Sequence, residues 1–382
     1  MPARKSSVKN EGRNGARTWI ELDSKAVKRN IETFRRLIGQ NIKLWAVVKS
    51  NAYGHGLPVF PELADKFGVD GFCVDSAVEG FRLREGGVKK PILVLGFTLP
   101  ERMEEAAGKD ITITISNQES FKALSRAKRK PFYHLKIDTG MHRQGFYPED
   151  VAKMSKYMDS KLSGVYSHFA SAKDMKNPVQ SSYTENQFNN FKNALSLLEK
   201  KGFSNLTKHI SASAGTIVSP EYHLDAVRVG IGLYGLWPSR RLKAAFSEKI
   251  RLEPVLSWKT IISEIKTAKT GGYVGYDMTE KITRPTRYAL LPVGYWHGLS
   301  RLLSGRGEVL IKGKRARILG RVSMDMAVVD VSKINCKPGD IVTIIGKSGR
   351  DELTATEMAE LSGTSHYEFL TRLNPLMEKI VV

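Results

Sequence analysis

This 382-residue chain predicts an α/β plus β protein: an N-terminal (β/α)8 TIM barrel followed by a C-terminal mostly β domain. Three observations predict it. Short apolar β-rich runs alternate with helical stretches from about residue 40 to residue 235. Several of those runs are nearly continuous in apolar character, as parallel strands covered on both faces are. After Pro238 the alternation stops, and strand-like runs follow one another across short, turn-like links.

Taken in order, residues 1–17 are basic and polar, and the mixture of Lys, Arg, Ser, Asn and Gly over 2–15 reads as a disordered tail. The apolar runs are 43–49, 71–76, 91–96, 111–116, 132–138, 162–168, 208–213 and 226–231. Eight strand–helix units in roughly 200 residues point to a barrel at the short end of its size range. A doubly wound open sheet is the alternative. The clearest helix spans 184–201, with Phe188, Phe191, Leu195 and Leu198 on one face, Thr184 as N-cap and Gly202 after its end. Beyond it, strands are expected at 254–266, 287–294, 308–319, 326–332 and 340–347, with Lys312-Gly313-Lys314 turning a hairpin and no long helix until about Thr354. The domains are therefore read as a tail at 1–17, a barrel at 18–247 and a β domain at 248–382.

Composition narrows the function classes. The chain has 60 basic and 39 acidic residues, a formal charge of +21. Such a surplus attracts anions without naming one. The basic residues are spread over the whole chain without a zinc-finger, RNP-like or P-loop signature, so a solvated basic surface is expected and no nucleic-acid partner. Cys73 and Cys336 stand far apart without metal-ligand spacing, which predicts neither a disulfide framework nor a metal and fits a reducing compartment. No apolar run reaches membrane-spanning length and no apolar stretch follows the basic N-terminus, so a cytoplasmic protein is expected.

Unusual polar residues fall where barrel strands end, which is where barrels carry their chemistry. Lys49 ends the first strand, Asp138 to Arg143 follow the fifth, His168 ends the sixth, Ser213 the seventh, and Arg228 lies in the eighth just before Gly230 and Ile231. The last two strands of such barrels commonly bind phosphate. Ser213 offers a hydroxyl, and Gly230 allows close approach to backbone amides. A lysine after Trp45-Ala46-Val47-Val48 is expected to be partly desolvated, which favours covalent chemistry with a carbonyl. A phosphate cradle beside such a lysine suggests pyridoxal 5'-phosphate.

The segment Ala46-Val47-Val48-Lys49-Ser50-Asn51-Ala52-Tyr53-Gly54-His55-Gly56 closely resembles the cofactor-attachment signature of alanine racemases. Five further motifs recur in that family's order: Asp138-Thr139-Gly140-Met141, Ser167-His168-Phe169-Ala170, Val227-Arg228-Val229-Gly230-Ile231 with Leu233-Tyr234-Gly235, Leu291-Pro292-Val293-Gly294-Tyr295, and Gly320-Arg321-Val322-Ser323-Met324-Asp325. The resemblance runs from about Arg17 to the C-terminus. It implies a pyridoxal-phosphate barrel with a C-terminal β domain, acting as a homodimer with shared active sites to supply D-alanine for peptidoglycan.

It also implies residue roles. Lys49 holds the cofactor and acts as one acid–base. Tyr276, in Gly271-Gly272-Tyr273-Val274-Gly275-Tyr276, is the second, delivered by the partner subunit. Racemisation needs a proton taken from one face of Cα and returned on the other, so two groups are required. Arg228 meets the pyridine nitrogen; Tyr53, Ser213, Gly230 and Ile231 hold the phosphate; His168 tunes Tyr276. Arg143 and the amide of Met324 bind the substrate carboxylate, and Asp325 and Tyr295 line the pocket. Lys136 matches a lysine that some members carry as a carbamate.

Departures from the family pattern collect at the pocket mouth. Ala212-Ser213 stands for Asn-Ser, Tyr295-Trp296-His297 for Tyr-Ala-Asp, Ser323 for a cysteine, Pro375 for a late tyrosine, and Asp277 for the glycine after Tyr276. They leave serine or broad-specificity racemisation as an alternative. A barrel-type decarboxylase, a non-catalytic cofactor-binding protein and a basic nucleic-acid binder are the remaining readings. Arg228 in place of an acidic residue counts against the first of these, and the β domain carrying Tyr276 against the second.

Overall fold

Every one of the eight apolar runs forms a strand in the computed structural model, which describes residues 15–382. The strands are Lys43–Val47, Gly71–Val74, Ile92–Val94, Ile113–Ile115, Tyr133–Lys136, Leu162–Tyr166, Thr207–His209 and Ala226–Val229. All pair in parallel. The first lies between the second and the eighth (Ala46 opposite Phe72, Trp45 opposite Arg228), and the fifth to seventh continue the fourth. Backbone bonds close the two remaining gaps. Val94 N–H donates to Thr112 and Thr112 N–H to Ile92, both at 2.9 Å, and Arg228 N–H donates to Ser211 at 3.0 Å. A continuous ring of eight strands results, a barrel rather than an open sheet.

The long helix begins earlier than its sequence signals suggest. It spans Pro178–Lys200, with Asn177 accepting the amides of Val179 and Gln180. Thr184 is therefore an interior residue and not the N-cap: its hydroxyl bonds back to the Gln180 carbonyl at 2.7 Å and also to that of Ser171. Proline at the first helical position and asparagine before it outcompete the threonine. Phe188, Phe191, Leu195 and Leu198 are buried as expected, and Gly202 takes a φ of +89° beyond the helix end.

The chain divides into two compact units, Lys25–Glu253 and a second in which the segment ending at Ser24 joins Pro254–Val382. This division differs from the reading of 18–247 as one barrel domain. Thr18–Leu22 forms a strand that pairs antiparallel with Leu256–Ile261 and parallel with Glu378–Val381. Trp19, Ile20 and Leu22 are buried in that sheet. The boundary on the other side falls after Glu253, whose amide and carbonyl both bond to Asn30 inside the barrel unit. The tail read at 1–17 lies outside the described residues, apart from 15–17.

The C-terminal unit is a ten-stranded sheet with the expected hairpin, in which Lys312 (φ 50°) and Gly313 (φ 75°) link Glu308–Ile311 to Lys314–Leu319. The run at 254–266 is two strands, Leu256–Ile261 and Glu264–Ala268, which pair with different neighbours. Helices Ala355–Leu361 and His366–Thr371 follow Thr354, which caps the first through the Glu357 amide. Among the described residues no helix is long and apolar enough to cross a membrane.

Candidate active site

Lys49 leaves the first barrel strand into an unusual turn. Ser50, Asn51, Ala52 and Tyr53 have φ of 55°, 56°, 51° and 52°, one turn of left-handed helix built from non-glycine residues. Each such residue costs roughly 1–2 kcal/mol, so the turn persists only where its surroundings over-determine it. The ties are visible. The Ser50 amide donates to Glu79 at 2.6 Å, the Leu57 amide to Asn51 Oδ1 at 2.8 Å, and His55 Nδ1 meets the Tyr53 carbonyl at 3.1 Å. His55 is fully buried, its ring 4.3 Å from that of Tyr234. Burial pushes its imidazole down to about 4, so it stays neutral and Nδ1 is the donor to the carbonyl. The lysine expected to be partly desolvated has a side chain 36% exposed, with its ammonium 3.3 Å from Asp75.

Arg228 is 2% exposed, and its guanidinium meets only neutral groups among the described residues. It donates to the Ser167 carbonyl at 2.8 Å, the Ile210 carbonyl at 3.0 Å, His209 Nδ1 at 2.5 Å and His168 Nδ1 at 3.3 Å. Those donations fix tautomers. With Nδ1 of His209 accepting, its proton sits on Nε2, which donates to His134 Nδ1 at 2.8 Å. Burial first, and the Arg228 charge second, hold all three histidines below their ordinary value, His134 down to about 3. Tyr166 stacks on His209 at 4.9 Å, and the Arg228 and Lys136 cations lie 5.1 and 5.0 Å from its ring centre. The array is a buried positive charge surrounded by histidines that cannot share it.

A cradle for an anion lies between the seventh and eighth strands. The Ser213 hydroxyl accepts the amides of Gly230 and Gly232, each at 3.2 Å, which leaves its proton to donate elsewhere. A Cβ on Gly230 would stand 3.0 Å from the Tyr53 hydroxyl, so glycine is what lets this phenol approach the strand end. Ile231 is buried beside them. The Ser213 and Tyr53 hydroxyls converge here at the Gly230 backbone, with Lys49 following the neighbouring first strand and Arg228 buried in the eighth. That donor set fits a phosphate and an electron-poor ring, and so fits pyridoxal phosphate.

The loop after the fifth strand is shaped by Asp138, which accepts the amides of Gly140, Met141, His142 and Arg143 at 2.8–3.0 Å. Burial alone would raise this carboxyl, and the four amides hold it below its usual range. Lys136, Arg143 and His168 share a recess with Asp138, Met141 and Ser167. Burial and then the Arg228 and Arg143 charges, opposed by Asp138, bring the Lys136 amine down to about 7.

The other expected residues belong to the C-terminal unit. Tyr276 opens a short turn after Gly275 (φ +76°) and is 68% exposed. Asp277, where the family has glycine, takes a φ of +61°, a conformation aspartate tolerates. Its carboxylate lies 2.7 Å from Arg321. Two loops zip together next to it: Tyr295 N–H donates to Ser323 and Trp296 N–H to Met324, at 3.0 and 2.9 Å. Tyr295, Met324 and Asp325 thus share one exposed edge.

Asp75, Glu79, His134, Tyr166 and His209 carry much of this geometry and were not singled out from the sequence. A signal existed for two of them. Polar residues recur at alternate positions in the fifth run (His134, Lys136, Asp138) and the seventh (His209, Ser211, Ser213), which puts each set on one face of its strand.

Comparison with known proteins agrees over the whole described chain. Residues 22–238 match the model of the alanine racemase N-terminal domain, and 255–381 that of the C-terminal domain. The chain is 37% identical over 375 residues to an alanine racemase of Leptospira interrogans serovar Lai, covering 96% of each. It is 38% identical over 372 residues to that of Carboxydothermus hydrogenoformans, covering 95% of this chain and 99% of the relative. Among solved structures, the alanine racemase of Bacillus anthracis with bound L-Ala-P has a TM-score of 0.89 at 33% identity, covering 96% of this chain and 95% of that one. That of Clostridium difficile 630 has 0.88 at 32%, covering 96% of both. With both domain models matched in order and relatives at 37–38% identity over nearly the whole chain, the chain belongs to the alanine racemase family, whose cofactor is pyridoxal phosphate.

Proposed function

We propose that this chain interconverts L- and D-alanine by two-base proton transfer at Cα, with Lys49 and Tyr276 as the bases. The observation that carries the reading is Lys49 held at the start of a left-handed turn, with the Ser213–Gly230 cradle and a buried Arg228 that meets only neutral groups among the described residues. When bound, the cofactor withdraws electrons from the substrate and so acidifies its Cα–H. Tyr53, Ser213 and the amides around Gly230 and Ile231 hold the phosphate. Arg228, fixed by neutral partners, offers the ring nitrogen a donor that gives up no proton, which limits how far charge moves into the ring. Lys49 Nζ takes or returns the proton on one face of Cα, and the Tyr276 phenol on the other. Arg143 binds the substrate carboxylate with the Met324 amide, while Asp325 and Tyr295 line the pocket. Lys136, with its amine near neutrality, is able to carry a carbamate that orients Arg143.

Tyr276 acts from the partner subunit of a homodimer, which supplies cover for a side chain that its own unit leaves exposed. The enzyme works in the cytoplasm and feeds D-alanine to peptidoglycan synthesis. The pocket-mouth substitution to Tyr295-Trp296-His297 favours testing serine beside alanine. Purified protein is expected to show visible absorption from a lysine-linked, borohydride-reducible cofactor and to abolish the optical rotation of L-alanine. A coloured protein that leaves both L-alanine and L-serine unchanged would sink the racemase reading.

A further inference from the structure

Glu79 opens the helix Ala77–Glu85 in a capping box with Ser76. The Ser76 hydroxyl accepts the Glu79 amide at 3.3 Å, and Glu79 Oε2 accepts the Ser76 amide at 3.4 Å. A capping box asks nothing more of its glutamate. This one does more. Oε2 accepts the Asp75 amide at the shorter distance of 2.8 Å, and Oε1 crosses to the preceding strand–helix unit to accept the Ser50 amide at 2.6 Å. Ser50 follows Lys49 and begins the left-handed turn, and Asp75 is the residue whose carboxylate pairs with the Lys49 ammonium. One carboxylate therefore holds the backbone beside both members of the Lys49–Asp75 pair.

Apart from the Lys49–Asp75 pair itself, the side-chain hydrogen bonds described here for the turn, Asn51 to Leu57 and His55 to Tyr53, are local. They shape the turn without registering it against the second strand. We propose that Glu79 is a positioning residue for Lys49, its two oxygens clamping the lysine turn to the Asp75 loop so that the amine stands where the cofactor's carbonyl arrives. This rests on Lys49 being the cofactor-bearing lysine. The clamp needs an acceptor at both oxygens. Glutamine preserves a capping box, but its NH2 group would face either the Ser50 or the Asp75 N–H.

That asymmetry gives a clean test in the full-length protein. E79Q is expected to lower the thermal midpoint without cofactor by no more than S76A does. Its affinity for pyridoxal phosphate, followed by visible absorption, should fall about tenfold, the size of one lost charge-assisted hydrogen bond. Its kcat should fall while KM for alanine stays within about twofold, and borohydride should fix less cofactor to Lys49 at saturation. S76A serves as control: it weakens the cap, lowers the midpoint, and leaves cofactor affinity and trapping as they were. Parental binding and trapping in E79Q, or equal losses in S76A, would make Glu79 a helix cap alone and overturn the proposal. Retention of covalently held cofactor by Lys49→Ala would instead overturn the lysine assignment, and this proposal with it.

Discussion

The barrel unit and the C-terminal unit hold their share of the expected site in opposite conditions. In the barrel, Arg228, Lys136, His134 and His209 are buried, and hydrogen bonds or ring contacts fix their orientation. In the C-terminal unit, Tyr276, Tyr295 and Met324 are exposed. The first arrangement sets protonation states by itself, because burial decides which nitrogen carries a proton. The second leaves the phenol of Tyr276 facing water, without a buried environment of its own. Cofactor binding should therefore be a property of the barrel unit, and turnover a property that needs the exposed edge as well.

The largest expected effect tests the barrel side. Lys49→Ala removes the attachment point and one base together, and should abolish the visible absorption and lower racemisation on the order of ten-thousand-fold. Tyr276→Phe should spare the colour and lower racemisation about a thousand-fold in both directions, while Cα–H exchange with solvent is lost for L-alanine and kept for D-alanine through Lys49. Solvent isotope incorporation from each enantiomer measures that asymmetry. Equal losses of solvent exchange from both enantiomers would mean that the phenol only packs.

The smallest effect concerns protonation within the barrel. His134 ionises near 3 in the folded protein because it is buried beside Arg228, against an ordinary value of 6.5. An unfolded chain therefore binds a proton that the folded one refuses between those values. Stability from this residue is present above pH 6.5 and is lost as pH falls toward 3. Each such histidine steepens the fall by about 1.4 kcal/mol per pH unit well inside that window. Urea melts between pH 4 and 6 should show His134→Gln with a shallower slope than the parent. An unchanged slope would mean that the imidazole is protonated in the fold.

Much of this was legible in the sequence, for definite reasons. The eight barrel strands were readable because a parallel strand covered on both faces is apolar throughout. Lys49, Arg228 and Ser213 were readable because polar residues at strand ends interrupt that apolar pattern. The strand Thr18–Leu22 was not foreseen, and its residues were counted with the barrel, because its partners lie more than 200 residues away at Leu256–Ile261 and beyond. Thr184 competed locally with Asn177, and local propensity does not rank two good caps. The left-handed turn was invisible because Ser50, Asn51, Ala52 and Tyr53 contain no glycine to announce it. Glu79 hid behind an ordinary helix-start motif, Ser76 to Glu79.

The placement of Thr18–Leu22 between Leu256–Ile261 and Glu378–Val381 has a consequence for how the protein is made. A ribosome releases this strand long before either neighbour exists, and the barrel is synthesised in the interval. Until residues 256–261 and 378–381 have been made, a strand with two bare edges travels with the nascent chain, the kind of segment that recruits chaperones or misassembles. Deleting residues 378–382 would leave one of those edges permanently open, so yield in a crowded cell should suffer before the chemistry does.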